Sequence, residues 1–349
     1  MRFLRIFPPY ISYQKLVRTT SSHASMKTRF YFIIIGLILF ASCQEVVPFS
    51  VQTTKYQLLK TYSSGSAMWA NETGRLVILG DDEADICYVD SAWTMLSRVP
   101  LYKPDTLVNG RVPSKAKYDC EAVASFTQDQ ETSLYIFSSG SWSPMRDTCL
   151  WVNASDGKLI HKRSLLSLFQ KLIAESPLKE TAKINIEGAA IVGDTLYLAH
   201  RGGNESPNVL FKLTLSKFQQ FFTDSLMPAP NFTYQTFELP KIAAFKSGFS
   251  GLEPFGHSGL LFTASVEASN NPPHDGEVLG SFVGYIPFGS KTIVTQRVHN
   301  TQGQEIRTKL ESISVVSQNA EGCVAVGVSD NDNGSSELFR FIIKGIPAE

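Results

Sequence analysis

The sequence predicts an all-β fold, a five-bladed β-propeller with six blades as the alternative. A short acidic motif recurs at intervals of roughly 55 to 66 residues, too long for a helical solenoid unit and suited to a blade with generous loops. Short runs rich in Val, Ile, Tyr, Phe and Thr fill the intervals, and aromatics make up 11% of the chain, which favours strands. A strand-like segment, Lys55 to Tyr62, precedes the first repeat, while the last repeat ends at Lys344 without a fourth strand. The N-terminal segment therefore supplies the missing outer strand, closes the ring and removes an exposed edge.

The motif reads Asp119-Cys120-Glu121-Ala122, Ile186-Glu187-Gly188, Leu252-Glu253-Pro254 and Leu310-Glu311-Ser312, with a degenerate copy, Gly65-Ser66-Ala67-Met68, that lacks the acid. Each copy opens an inner strand. A turn follows, as at Asn71-Glu72-Thr73-Gly74 or Gly193-Asp194, where Gly tolerates positive φ and Asn or Asp bonds its own backbone. Second strands are apolar throughout, as in Leu134-Tyr135-Ile136-Phe137, and so are expected to be buried on both faces. Third strands are placed at Ile86–Val89, Cys149–Asn153, Asn208–Leu215, Val278–Ile286 and Glu337–Lys344, with more polar outer strands at Trp93–Leu101, Leu159–Leu166, Thr233–Leu239 and Ile293–Asn300. Leu165, Leu168, Phe169 and Leu172 fall at helical spacing and predict a packing helix over Ser164–Glu175, with a shorter one at Ser216–Asp224.

The N-terminus reads as an export signal. Lys27-Thr28-Arg29 precedes an apolar run from Phe30 to Ala41, shorter than the roughly 20 residues that cross a bilayer. Ala41-Ser42-Cys43 resembles a bacterial lipobox, which makes Cys43 the lipidated first residue of the mature protein, anchored in the bacterial envelope. On this reading residues 1–25 are a mis-assigned start, 26–42 the lipoprotein signal, 43–53 a linker and 54–346 one propeller domain. A plain cleaved signal, with Cys43 incidental, is the alternative. The chain carries 32 basic and 32 acidic side chains and no net charge, so no electrostatic grip on nucleic acid is expected. A monomer is expected. Neither CxxC nor a close Cys/His pair occurs, which argues against zinc, and Cys87, Cys120, Cys149 and Cys323 are expected as buried thiols.

A propeller gathers equivalent points of every blade at one end of the ring. Glu121, Glu187, Glu253 and Glu311 should therefore converge on the axis with Asp82, and close carboxylates need a proton or a cation between them. Oxygen-only ligands suit calcium. Arg146 and Arg201, with Ser141, Asn204 and His274 nearby, suit a small planar anion. Calcium beside arginine also suits phosphoester hydrolysis through metal-held water. A structural reading stands beside these, in which the glutamates bond backbone amides of the next blade and tie the ring together. The protein is then an interaction scaffold with an envelope protein as partner. No serine-hydrolase elbow, HExxH motif or phosphate loop occurs.

The stretches Ser138-Ser139-Gly140-Ser141, Ser143-Pro144-Met145-Arg146-Asp147, Asn185-Ile186-Glu187-Gly188, His200-Arg201-Gly202-Gly203-Asn204 and Asp275-Gly276-Glu277-Val278-Leu279-Gly280-Ser281 resemble an uncharacterised family of bacterial propeller lipoproteins of Bacteroidota type. More remotely, the Glu-Gly strand heads resemble the phytase-like esterase domain and the five-bladed calcium-dependent apyrases. That resemblance implies axial acids that hold calcium and basic residues that face phosphate.

Overall fold

The computed structural model describes residues 47–60, 62–141, 144–268, 276–319, 321–330 and 334–346. The signal segment, Cys43 and His274 lie outside them. The residues from Val47 onward form one compact unit.

Five four-stranded antiparallel sheets make a five-bladed propeller. Strand β1 (Ser50–Leu59) comes first in the chain but belongs to the last blade. Blade 1 is β2 (Gly65–Ala70), β3 (Leu76–Gly80), β4 (Asp85–Val89) and β5 (Met95–Pro100). Blade 2 is β6 (Cys120–Gln128), β7 (Glu131–Ser138), β8 (Thr148–Asn153) and β9 (Leu159–Ser164). Helix α1 (Leu166–Ala174) then leads into blade 3, β10 (Ile186–Val192), β11 (Thr195–His200), β12 (Asn208–Thr214) and β13 (Phe232–Phe237), with α2 (Leu215–Thr223) between its last two strands. A small hairpin, β14 (Lys241–Ile242) and β15 (Phe245–Lys246), precedes blade 4, which is β16 (Gly248–Phe255), β17 (Gly259–Ala268), β18 (Glu277–Pro287) and β19 (Val294–Arg297). Blade 5 is β20 (Leu310–Asn319), β21 (Gly322–Asp330) and β22 (Ser336–Lys344), completed by β1.

The apolar second strands are buried on both faces because successive residues serve different seams. Leu76 and Ile78 of β3 pack towards blade 5 with Val326 and Val328. Val77 and Leu79 pack towards blade 2 with Leu134 and Ile136. Blades 2 and 3 share a third cluster, which holds α1 through Leu168, Phe169 and Leu172 and α2 through Phe218, Phe221 and Phe222. The remaining two clusters fill the seams between blades 3 and 4 and between blades 4 and 5. Cys120, Cys149, Cys323 and Cys87 are each buried in a different seam and are free thiols, small apolar fillers as expected.

Ring closure occurs as the sequence suggests, with the strand displaced towards the N-terminus. β1 spans Ser50–Leu59 rather than Lys55–Tyr62, and Tyr62 instead donates its hydroxyl to Asp85 O. β1 pairs with β22 from Ser50 opposite Lys344 to Leu59 opposite Ser336. It also grips both neighbouring blades. Gln296 of blade 4 bonds Val51 N and O at 2.8 and 3.1 Å, while Lys55 and Gln57 donate to Ala92 O and Trp93 O of blade 1. A chain starting at Tyr62 would leave β22 with a bare edge. Its thermal midpoint is expected to fall by more than ~10 °C, with aggregation visible by light scattering.

Candidate functional site

Each inner strand carries a β-bulge at one equivalent residue near its start. The register shifts fall at Ser66 of β2, Glu121 of β6, Glu187 of β10, Ser250 of β16 and Glu311 of β20. A bulge leaves one residue out of the ladder and re-aims its side chain. Small residues follow it at Ala67, Ala122, Gly188, Gly251 and Ser312, because the inner strands approach closely here. A Cβ on Gly188 would stand 2.8 Å from Leu252 Cβ, and one on Gly251 2.9 Å from Ser312 Cα.

This register corrects the blade 4 reading. Glu253 is not the strand head; Ser250 is. Glu253 lies further along β16, where Oε1 accepts from Ser314 Oγ at 3.0 Å and Val315 N at 2.9 Å of blade 5. It is the blade-tying acid of the structural reading. Ser66 and Ser250 also act as ties, donating to Cys120 O and Leu310 O of the following blade. Three glutamates therefore occupy bulge positions, not four.

Around them lies a network of carboxylates and cations at the same end of the ring. Arg201 follows β11 and reaches across blade 4. It meets Glu187 at 3.5 Å, Glu267 at 3.1 Å and Glu311 at 3.7 Å. Glycine at 248 makes this reach possible, since a Cβ there would come within 2.5 Å of Arg201 Cγ. Lys309 bridges Glu267 and Glu311 at 3.2 and 3.1 Å. On the opposite side Lys117 bridges Asp81 and Asp119, Arg146 pairs with Asp119 at 3.2 Å, and Arg111 pairs with Asp82. Asp119 and Ser64, each two residues before a bulge, have φ of 59° and 54°, left-handed values that cost energy and mark constrained backbone.

Asp81, Asp82, Asp119, Glu121, Glu187, Glu267 and Glu311 outnumber Arg111, Lys117, Arg146, Arg201 and Lys309 in this network. The consequence shows in proton affinity. Burial, and then the carboxylates of Glu187, Asp119, Asp81 and Glu311, push Glu121 well above the usual carboxylate range. Burial raises Glu311 to about 8 against the pull of Lys309 and Arg201, and raises Glu187 also. Burial works against the charge on Glu267 too, but Arg201 and Lys309 hold it below its ordinary value. Glu121 makes no hydrogen bond or ion pair among the described residues. Its carboxylate oxygen and those of Asp81 and Asp119 lie within 4.8 Å of one another. Oδ1 of both Asp81 and Asp82 is buried without a hydrogen-bond partner.

Arg146, Arg201, Asp82, Glu121, Glu187, Glu311 and Ser141 thus come together as the sequence suggests, with Ser141 Oγ 3.3 Å from Asp119 Oδ2 and accepting from Arg146. Asn204 stands apart and accepts from Lys246 N, pinning the hairpin. Sequence reasoning missed Arg111, Lys117 and Lys309 as members. Asp119, Asn185 and Lys309 share one phase two residues before the bulge, a signal that was available in the motif. His200, next to Arg201, is structural. Burial lowers its ring to about 3, and Nδ1 accepts from Asn185 N.

The chain matches the family of unknown function DUF6929 over residues 61–343. No curated protein matches it. Among solved structures it is similar to virginiamycin B lyase from Staphylococcus aureus, at 9% identity and a TM-score of 0.38 over 84% of this chain and 99% of that one. A protein of unknown function from Bacteroides caccae is similar at 13% identity and a TM-score of 0.32, over 72% of this chain and 81% of that one. A streptogramin B lyase is similar at 11% identity and a TM-score of 0.36, over 83% of this chain and 97% of that one. TM-scores this low say nothing of activity.

Two outcomes are expected. Arg201→Met leaves three buried carboxylates without their guanidinium and should cost about 3–5 kcal/mol in urea unfolding, with partial recovery at acid pH as they protonate. Glu253 sets a second test. Burial raises its carboxyl from 4.5 to about 8 with only neutral donors facing it. Between those values the folded protein holds a proton that the unfolded chain has released. Its contribution is therefore fully present below the ordinary value and lost as pH rises through the folded one. Glu253→Gln keeps an acceptor there and should flatten the fall in urea midpoint between about pH 5 and 8.5 relative to wild type.

Proposed function

The chain belongs to a family of unknown function, DUF6929, and on its own geometry we propose a lipid-anchored envelope propeller that binds a small ligand at its axial mouth, with calcium held by Asp81, Asp119 and Glu121. The observation that carries this is the group of three carboxylates with mutually close oxygens, of which Glu121 has no direct partner. Hard oxygen donors in an irregular arrangement suit calcium. Bound there, the ion would supply a positive centre for an anionic ligand group.

That route matters because the arginines are engaged. Arg146 and Arg201 are each paired with carboxylates, so an anion reaches the mouth through the metal more readily than through either guanidinium. For the same reason phosphoester hydrolysis is the less favoured version, since Arg111, Arg146 and Arg201 are each committed to carboxylates. A scaffold without a small ligand is the second reading. It is favoured by the saturation of Arg201 and by Glu253, which ties blades 4 and 5. The anchor rests on Lys27-Thr28-Arg29, the apolar run to Ala41 and Ala41-Ser42-Cys43. No helix among the described residues is long and apolar enough to cross a membrane.

The soluble form starting at Glu45 should melt higher in calcium than in EDTA, by the equivalent of about 2.7 kcal/mol at 100 times the dissociation constant. Glu121→Gln should abolish the shift. Lys117→Ala should enlarge it, because the ammonium now bridging Asp81 and Asp119 competes with the ion. An unchanged melt in all three proteins would leave the scaffold reading. Cys43→Ser should move the full chain from the membrane pellet to the soluble fraction of a bacterial host.

A further inference from the structure

At the opposite end of the inner strands a concavity lies between blades 2 and 3. It has a volume of about 510 Å³, within the range of small-ligand clefts, and is open to solvent. Ser125, Phe126, Thr127 and Gln128 of β6 form one wall. Ile191 and Gly193, at the end of β10, and Leu215 and Gln219 of α2 form the other. From Cys120 at the mouth to Gln128 the strand runs about 26 Å, so the two sites share no residue.

The lining differs in kind from the mouth. None of its side chains is ionisable. Amides at Gln128 and Gln219 give donors and acceptors side by side, while Ser125 and Thr127, out of phase with Phe126 along the strand, contribute backbone to the wall. Gln219 is partly committed, bonding the Tyr135 hydroxyl. Thr127 makes a long contact of 3.4 Å to Thr132. The side chains of Ser125 and Gln128 make no hydrogen bond among the described residues, and Gln128 is exposed. Phe126 stacks on Tyr135, with centroids 4.6 Å apart and 17° between planes, which fixes the ring rigidly where it borders the cleft. Tyr135 is held in turn by Phe218 and Phe222 of α2.

A fixed aromatic ring beside two side-chain amides, one of them uncommitted, without charge, matches a ligand with an apolar C–H face and a rim of hydroxyls. A charged ligand would find no counter-charge here. A wholly apolar one would strand the polar groups without partners. We infer that this cleft binds a neutral carbohydrate, stacked on Phe126 and bonded by Gln128 and Gln219. The site is independent of the mouth and of any metal there.

The test uses cellohexaose, maltohexaose and chitohexaose as neutral probes and polygalacturonate as a charged one, read by isothermal titration on the soluble form. At least one neutral hexasaccharide should bind, and polygalacturonate should not. Gln128→Ala, an exposed change that leaves the core intact, should weaken binding about tenfold with an unaltered melt. Phe126→Ala should remove it. Glu121→Gln and EDTA should leave it unchanged. The inference is overturned if no neutral probe binds, if Gln128→Ala binds as well as wild type, or if Glu121→Gln or EDTA abolishes binding.

Discussion

Five strands crowding one axis is the constraint on which the rest of this structure depends. Inner strands this close admit only small side chains where they touch, which is why Ala67, Ala122, Gly188, Gly251 and Ser312 sit in one ring. The bulge just before each of them relieves the crowding by taking one residue out of the ladder. The expelled residue then faces its counterparts around the axis, so the polar character of the mouth follows from packing before any question of ligand arises. Where that residue is serine it bonds the next blade; where it is glutamate the charge has to be met.

The chain meets it unevenly. Around Glu187, Glu267 and Glu311 compensation is internal, through Arg201 and Lys309, and depends on the missing side chain of Gly248. Around Glu121 the nearby ammonium of Lys117 is already shared by Asp81 and Asp119. Both sides hold one carboxylate more than they have cations, but on the first every acid has an ion-pair partner, whereas on the second Glu121 has none among the described residues. That asymmetry, more than the number of acids, distinguishes the carboxylates around Glu121 from those that Arg201 and Lys309 pair directly.

Much of this was legible in the sequence. The blade count, the strand order within blades, the closing N-terminal strand and both helices follow from apolar runs and turn residues, which depend on local chemistry. The error in blade 4 has a physical cause. Glu253 satisfied the acidic pattern, but Pro254 follows it, whereas every true bulge residue precedes Ala, Gly or Ser. The requirement for a small neighbour, set by contact between blades, was a better guide than the charge. Lys117 and Lys309 escaped notice because their roles exist only after distant blades meet; nothing local distinguishes them from solvated surface residues. Arg201 was picked out, but not that it would be consumed by three carboxylates.

The pairing of β1 with β22 joins Ser50 to Lys344, nearly the full length of the chain. Contacts of such sequence separation form late, because the intervening loop has to be ordered first. The closing blade has no fourth strand until the earliest and latest segments are present together, and seams on both sides of it share its fate. Closure of the ring therefore waits until β22 has been made. A ring that cannot close on a partial chain stays open, with the inner strands of four blades already in place, for as long as its last strand is missing.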